Sequence, residues 1–421
     1  MPEIRIPLDI PFNIPFNKPA LLGKEFEYVR QAIERGKISG DGHFTKLCQD
    51  LLRRLTGAES VLLTTSCTHA LEMAALLLDI QPGDEVLVPS FTFVSTANAF
   101  VLRGARPVFV DSRPDTLNLD ESRLESLLTP RTKAIVPVHY AGVACDLDSI
   151  LKIAGARGVA VVEDNAHGLF GKYRGRHLGS FGSMATQSFH ETKNISCGEG
   201  GALLINDPRY ARRAEILREK GTNRAAFFRG QVDKYTWVDV GSSYVPSDVL
   251  AAFLYAQLEQ AGRIQQARRA IWLRYQRELT DWASNHDIRL PEIPADCEQA
   301  YHMFYLLLPT LEDRQAFIEH LRQRGILAVF HYIPLHLSPM GQKFGGRLGD
   351  CPVVEAFSDR LVRLPFYFDL SEVDQQRIVD AVRSFQPVGV QGLKNLHRAL
   401  QETAYPAGVH HPVVASIDQK A

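Results

Sequence analysis

The chain has 421 residues, 45% hydrophobic and 23% charged, which is ample material for a core and excludes a wholly disordered chain. Lys plus Arg number 47 against 48 for Asp plus Glu, and a net charge of −1 excludes any global drive toward nucleic acid or an anionic membrane. The start, Met1 to Pro7, has no basic stretch leading into an apolar one, and no run nears the roughly 18 apolar residues of a membrane span.

Residues 1–20 read as an N-terminal arm. From about residue 58, short β-rich runs alternate with amphipathic segments. The spacing predicts strands at Val61–Thr64, Glu85–Val88, Pro107–Val110, Lys133–Val138 and Gly158–Val162, with helices over Thr68–Leu78 and Leu147–Ala156. Each run is continuously apolar, as strands covered on both faces must be. The expected fold class is therefore α/β, with a mostly parallel sheet flanked by helices over 21–246. Beyond Pro246 the pattern changes. Ser247–Arg274 reads as one long helix. Then come a β-like run at Met303–Leu308, a helix at Arg314–Arg324, a second run at Leu327–Tyr332 and a helix at Glu372–Phe385. This predicts a smaller α+β unit over 247–386. The Pro- and Gly-broken stretch 387–421 reads as an irregular tail. The cysteines Cys48, Cys67, Cys145, Cys197, Cys297 and Cys351 form no CxxC pair. They predict free thiols in a reducing cytoplasm and no metal site.

Ligands of open α/β sheets bind beyond the carboxyl ends of the strands. That singles out Thr64–Thr68, Ser90–Phe93, His139–Tyr140 and Asp164–His167. A further polar segment, Ser188-Phe189-His190-Glu191-Thr192-Lys193, runs into Gly198-Glu199-Gly200-Gly201. A lysine of lowered pKa suits carbonyl chemistry, whereas an ordinary loop lysine is solvated. Asp164, closing an apolar strand upstream, reads either as a solvated strand terminus or as the acid that a pyridoxal phosphate (PLP) ring nitrogen needs. Thr64–Thr68, between strand and helix, offers hydroxyls and free N–H groups to a phosphate, or a simple N-cap. Ser188 is a second hydroxyl within reach. Phe91 and Phe93 are each able to cover a cofactor ring or to pack in the core. Arg224 and Arg229 read either as partners for a carboxylate or diphosphate, or as surface ion pairs.

The segments Ser66-Cys67-Thr68 with Ala70-Leu71, Pro89-Ser90-Phe91-Thr92-Phe93, Glu163-Asp164, Ser188 to Gly201, and Phe330-His331-Tyr332 with Pro334-Leu335-His336 carry a likeness. The chain resembles the sugar-nucleotide aminotransferases of the DegT/StrS type, PLP enzymes of fold type I, from about Ile10 to Phe385. Val138–Cys145, Glu219–Arg224 and Phe227–Tyr235 extend it. The resemblance implies that Lys193 holds PLP covalently, that Asp164 pairs with the ring nitrogen, and that pyridoxamine phosphate alternates with PLP during turnover. It implies that the Cys67 backbone, Thr68 and Ser188 hold the phosphate, that Phe93 stacks on the ring, and that Tyr332 and His336 lie near substrate. His167 stands where relatives usually have a glutamine that bonds the ring hydroxyl. Ser243 stands where many have an asparagine that reaches the phosphate across a dimer. The implied protein is a homodimer with interfacial sites. The implied reaction moves the amino group of L-glutamate to C4 of dTDP-4-keto-6-deoxy-D-glucose. It gives dTDP-4-amino-4,6-dideoxy-D-galactose and 2-oxoglutarate, for surface polysaccharides such as lipopolysaccharide or enterobacterial common antigen. Related dehydratases carry His in place of the lysine, so Lys193 favours transamination. Another keto position or nucleotide sugar, a PLP-dependent dehydratase and a non-catalytic PLP-fold binder are the alternatives.

Overall fold

Seven strands form the central sheet of the computed structural model, which describes residues 12–389. They are β1 (Ser60–Thr64), β2 (Glu85–Pro89), β3 (Arg106–Val110), β4 (Thr132–Ile135), β5 (Ala160–Asp164), β6 (Met184–Ser188) and β7 (Gly201–Ile205), in the order β1-β7-β6-β5-β4-β2-β3. From β6 to β3 all neighbours are parallel, and only β7 runs against both of its own. Every residue of β2, β6 and β7 is buried; Val86–Pro89 and β7 are apolar throughout, whereas β6 carries Thr186, Gln187 and Ser188 and so lacks the apolar run that marks the other strands. The reversed direction of β7 gathers three chain segments at one edge of the sheet. Gly201 pairs with both Ser188 and Thr64, so the carboxyl ends of β6 and β1 meet at the start of β7, and the 189–200 loop emerges beside them.

Helices cover both faces. On one, Ala70, Leu71 and Ala74 of the Cys67–Leu77 helix pack on Val86, Val88 and Leu203. On the other, Phe44 and Leu52 of the His43–Thr56 helix meet Leu63, Leu204, Ala251 and Leu258. The C-terminal part pairs β8 (Tyr305–Leu307) with β9 (Leu361–Arg363), antiparallel. Its core joins Trp272, Tyr275, Phe304, Phe317 and Ile378. The arm residue Ile14 bridges to Ile326, and Phe16 O accepts from Phe366 N.

Several expected elements differ in extent. The strand expected to end at Val162 runs on as β5 through Asp164, so the two acids lie in the strand itself. β4 stops at Ile135, because Pro137 has no N–H to extend the ladder; Val138 makes only an isolated bridge to Asp164. The stretch read as one helix from Ser247 is two, Asp248–Glu259 and Ala261–Ser284, broken at Gln260. Leu327–Tyr332 forms no strand and contributes only a bridge from Val329 to Arg363. The Asp248–Glu259 helix follows the expected boundary at 247, yet it packs into the core of the large sheet. All six cysteines are free. Among the described residues no helix is long and apolar enough to cross a membrane.

Candidate active site

The carboxyl ends of the strands and the C-terminal part enclose a cleft of about 740 Å³. Lys193, Asp164, His167, Ser188, Cys67, Thr68, Phe93 and Tyr332 all line it. Lys193 rises from the β6–β7 loop, which Glu191 N closes onto Gly198 O. Burial lowers the pKa of Lys193 to about 8, and the charge of Arg363 acts in the same sense against Cys67 and Asp164.

Asp164 ends β5 and is 4% exposed. Its Oδ2 accepts from the Thr96 hydroxyl at 2.7 Å and its Oδ1 from Ala166 N at 3.2 Å. Burial raises its pKa, opposed by Thr96, Ala166 and the Lys193 charge. No cation forms an ion pair with Asp164 among the described residues, so a protonated ring nitrogen would find its counter-charge here. The neighbouring acid does different work. Glu163 faces the other side of β5 and accepts from Gly179 N, Phe181 N, Gly182 N and His139 Nε2, which fixes the turn into β6.

The Cys67–Leu77 helix starts at the end of β1. Ser66 caps it, accepting from His69 N at 3.1 Å, and the Thr68 hydroxyl bonds Ser95 Oγ at 2.8 Å. The first N–H groups of a helix have no partner within it, so Cys67 and Thr68 offer theirs to an anion. Ser188 brings its hydroxyl alongside at the end of β6. A side chain at Gly201 would come within 2.3 Å of Ser66 C and 2.4 Å of Cys67 N, so only glycine lets β7 approach this cradle. The Cys67 thiol itself is pushed far up by burial and stays neutral.

His167 is buried, and its Nδ1 has no partner among the described residues. Its Nε2 lies 3.4 Å from the Tyr332 hydroxyl. Burial, then the charges of Lys193 and Arg363, hold the imidazole neutral. Of the two phenylalanines, Phe91 is 1% exposed and packs on Tyr140 and Phe357, while Phe93 stands 57% exposed at the cleft rim. A buried acid without a cation, a lysine of lowered pKa, an open N-terminal cradle and an orphaned imidazole nitrogen together fit PLP.

Other expected residues fall elsewhere. His336 lines no part of the cleft. Its Nδ1 meets Ser90 Oγ at 2.5 Å and its Nε2 meets Glu355 Oε1 at 2.8 Å. Ser90 and His336 have no exposure at all, so this Ser–His–Glu row ties the loop after β2 to the 349–355 turn and cannot meet a substrate. Ser243 is exposed, bridged to Glu219 and outside this chain's cleft. Arg224 and Arg229 lie exposed on and beside the short Arg224–Phe228 helix, also outside it. Arg229 makes a bidentate pair with Glu215, the surface reading of that residue.

Among the cleft residues to which the sequence assigned no role are Thr96, His302, His331 and Arg363, although His331 lies within the Phe330–Tyr332 segment that carries the likeness. Thr96 lies in the first turn of the Ser95–Val101 helix, four residues after Thr92 of the strand-end loop and hydrogen-bonded to it at 2.8 Å, and that nearness to a loop already singled out was its signal. Arg363 interrupts the apolar run Leu361 to Leu364, and that was its signal. Its Nε and Nη2 donate to Phe330 O at 3.3 and 3.0 Å, and its guanidinium lies 4.7 Å from the Phe16 ring. Among the described residues no carboxylate pairs with it, and none of their acidic, His and Cys side chains group as a metal site.

The model of the DegT/DnrJ/EryC1/StrS aminotransferase family matches residues 20–383. The spore coat polysaccharide biosynthesis protein SpsC of Bacillus subtilis is 35% identical over 372 residues, covering 86% of this chain and 95% of the relative. The aminotransferase TlmJ from Streptoalloteichus hindustanus superposes with a TM-score of 0.80 at 32% identity, covering 91% of this chain and 100% of its own. The putative sugar aminotransferase Spr1654 from Streptococcus pneumoniae, in its PMP form, gives a TM-score of 0.82 at 27% identity, covering 88% and 98%. A PLP form of the same protein superposes as well.

Proposed function

The chain belongs to the DegT/DnrJ/EryC1/StrS aminotransferase family, whose cofactor is PLP, and on that premise we propose that it is a sugar-nucleotide aminotransferase. The observation that bears most weight is the placing of Lys193 and Asp164 in one cleft with the Cys67–Thr68 cradle. In this reading L-glutamate gives its amino group to C4 of dTDP-4-keto-6-deoxy-D-glucose. The products are 2-oxoglutarate and dTDP-4-amino-4,6-dideoxy-D-galactose, for surface polysaccharide synthesis in the cytoplasm. The polysaccharide role of SpsC and the sugar role ascribed to Spr1654 support the substrate class.

Bound PLP supplies an electrophilic carbonyl and a sink for the electrons left when the donor's α-proton departs. Residues of this chain do the rest. The Cys67 and Thr68 N–H groups and the Thr68 and Ser188 hydroxyls hold the phosphate. Asp164 keeps the proton on the ring nitrogen, and Thr96 keeps Asp164 oriented. His167 donates to the ring oxygen. Phe93 covers one ring face. Lys193, partly uncharged near neutrality, takes the proton from the amine-bearing carbon of glutamate and returns one at the cofactor carbon that accepts the amine. Arg363, lacking a carboxylate of its own, receives that of the donor. Tyr332 borders the sugar. In a homodimer Ser243 of each subunit would reach the other's cleft.

The deciding experiment incubates the protein with PLP, L-glutamate and a panel of 3-keto and 4-keto nucleotide sugars, then identifies any amino sugar. A 4-amino-4,6-dideoxygalactose product supports the full reading. A gluco product or a 3-amino sugar moves the substrate within the class. A deoxygenated sugar without amine gives the dehydratase, and no product from any sugar leaves a binding protein.

A further inference from the structure

The segment before β8 is held in a strained form. Tyr301 has φ of 49°, a left-handed conformation that is strained for a bulky side chain. Its neighbours are tied on every side. Ala300 N donates to Gly142 O at 2.9 Å, and Ala300 O accepts from Asn194 Nδ2 at 2.7 Å and Gln265 Nε2 at 3.1 Å. Arg268, 3% exposed, donates Nε to Tyr301 O at 2.9 Å and Nη2 to His302 O at 2.6 Å. No carboxylate pairs with Arg268 among the described residues; its guanidinium lies over the Phe366 ring, 4.6 Å away. A buried cation spent on two carbonyls is a costly device.

The side chain so presented is His302. Asn194 must turn its Nδ2 to the Ala300 carbonyl, so its Oδ1 faces His302 Nδ1 at 2.9 Å, and that nitrogen carries the hydrogen. With backbone and tautomer both fixed, the ring lies flat on His167, centroids 4.2 Å apart and planes 19° from parallel. His167 has little else to orient it. Among the described residues its side chain's one polar contact is the 3.4 Å approach of Tyr332, and Tyr140 and His331 stand about its ring at 6.0 and 6.1 Å.

We infer that His302 is a positioning residue, a rigid platform that holds the His167 ring at the angle from which it meets the cofactor. The inference rests on the reading that His167 faces PLP. The charged and titratable groups around His167 are Lys193, Arg363, His302, His331, Tyr140 and Tyr332.

Two variants separate platform from polarity. His302→Phe keeps a flat face and loses the Asn194 bond; His302→Leu loses the face. Two readouts are taken: the imidazole NMR resonances of His167 in cofactor-free protein, and the pH midpoint of the visible band in PLP-loaded protein. Wild type and His302→Phe should both give one sharp His167 resonance. His302→Leu should broaden or split it, and should move the midpoint by about half a pH unit or more. In a His167→Gln background His302→Leu should move the midpoint no further. An unchanged His167 resonance in His302→Leu overturns the platform, and so does a midpoint shift that persists without His167. If His167→Gln alone leaves the midpoint in place, the contact of His167 with PLP fails instead, while the cofactor-free resonances still judge His302.

Discussion

The Thr96 hydroxyl donates to Oδ2 of Asp164 at 2.7 Å, joining a helix after β2 to the last residue of β5. This bond favours the ionised carboxylate against the burial that raises its pKa. Asp164→Asn removes the charge and should lower kcat of the glutamate half-reaction by about 10²–10³-fold, or about 3–4 kcal/mol. Thr96→Val removes one hydrogen bond, and a loss of about tenfold is expected. Single-turnover release of 2-oxoglutarate measures both. Asp164→Asn activity within about threefold of wild type would refute the assignment.

Lys193 has a pKa lowered to about 8, chiefly by burial and further by Arg363. Only the neutral amine attacks a carbonyl. Covalent uptake of PLP by cofactor-free protein should therefore quicken as pH rises and level off above about 8. Arg363→Gln removes a nearby positive charge, so the midpoint should move up. Borohydride reduction followed by peptide mapping should place the cofactor on Lys193. A label on any other lysine rules the site out.

Arg363→Gln also removes the proposed carboxylate partner. The KM for glutamate should rise roughly 10–100-fold, in line with about 1.5–3 kcal/mol for a charge-assisted bond. The KM for the nucleotide sugar should hold steady. A rise confined to the sugar would assign Arg363 to the diphosphate.

Glu355 gives a stability test away from the cleft. Burial pushes its pKa up, but His336 and the N–H groups of Gly349 and Cys351 outweigh that and hold it below the ordinary value. A depressed carboxyl contributes stability above its unfolded pKa of about 4.3 and loses it as pH falls through the folded value. Glu355→Gln should cost about 1.5–3 kcal/mol near neutrality, and the gap should narrow below about pH 4. Urea unfolding at both pH values measures it, and a gap independent of pH would exclude the ionic contribution.

Most of the sheet was legible in the chain alone, because strands buried on both faces are largely apolar, as Val86–Pro89 and β7 are; β6 escaped because Thr186, Gln187 and Ser188 break its apolar run although all are buried. The sequence also determined Lys193, Asp164 and the Cys67–Thr68 cradle as candidates, since strand ends in such a sheet are where polar residues meet a ligand. What it left open depends on contacts distant along the chain. Phe91 and Phe93 are equivalent on paper, and only the packing of Phe91 on Phe357 decides which one remains at the rim. His336 reads as polar and available until Ser90 and Glu355 close around it. His302 gains its place from Arg268, Asn194 and a left-handed Tyr301, none of which has a local pattern. Arg363 matters because no acid among the described residues reaches it, and the absence of a partner is a property of three-dimensional packing alone. Local propensity and periodicity fix elements and their polar ends; which side chains face one another across a cleft is set by how those elements pack.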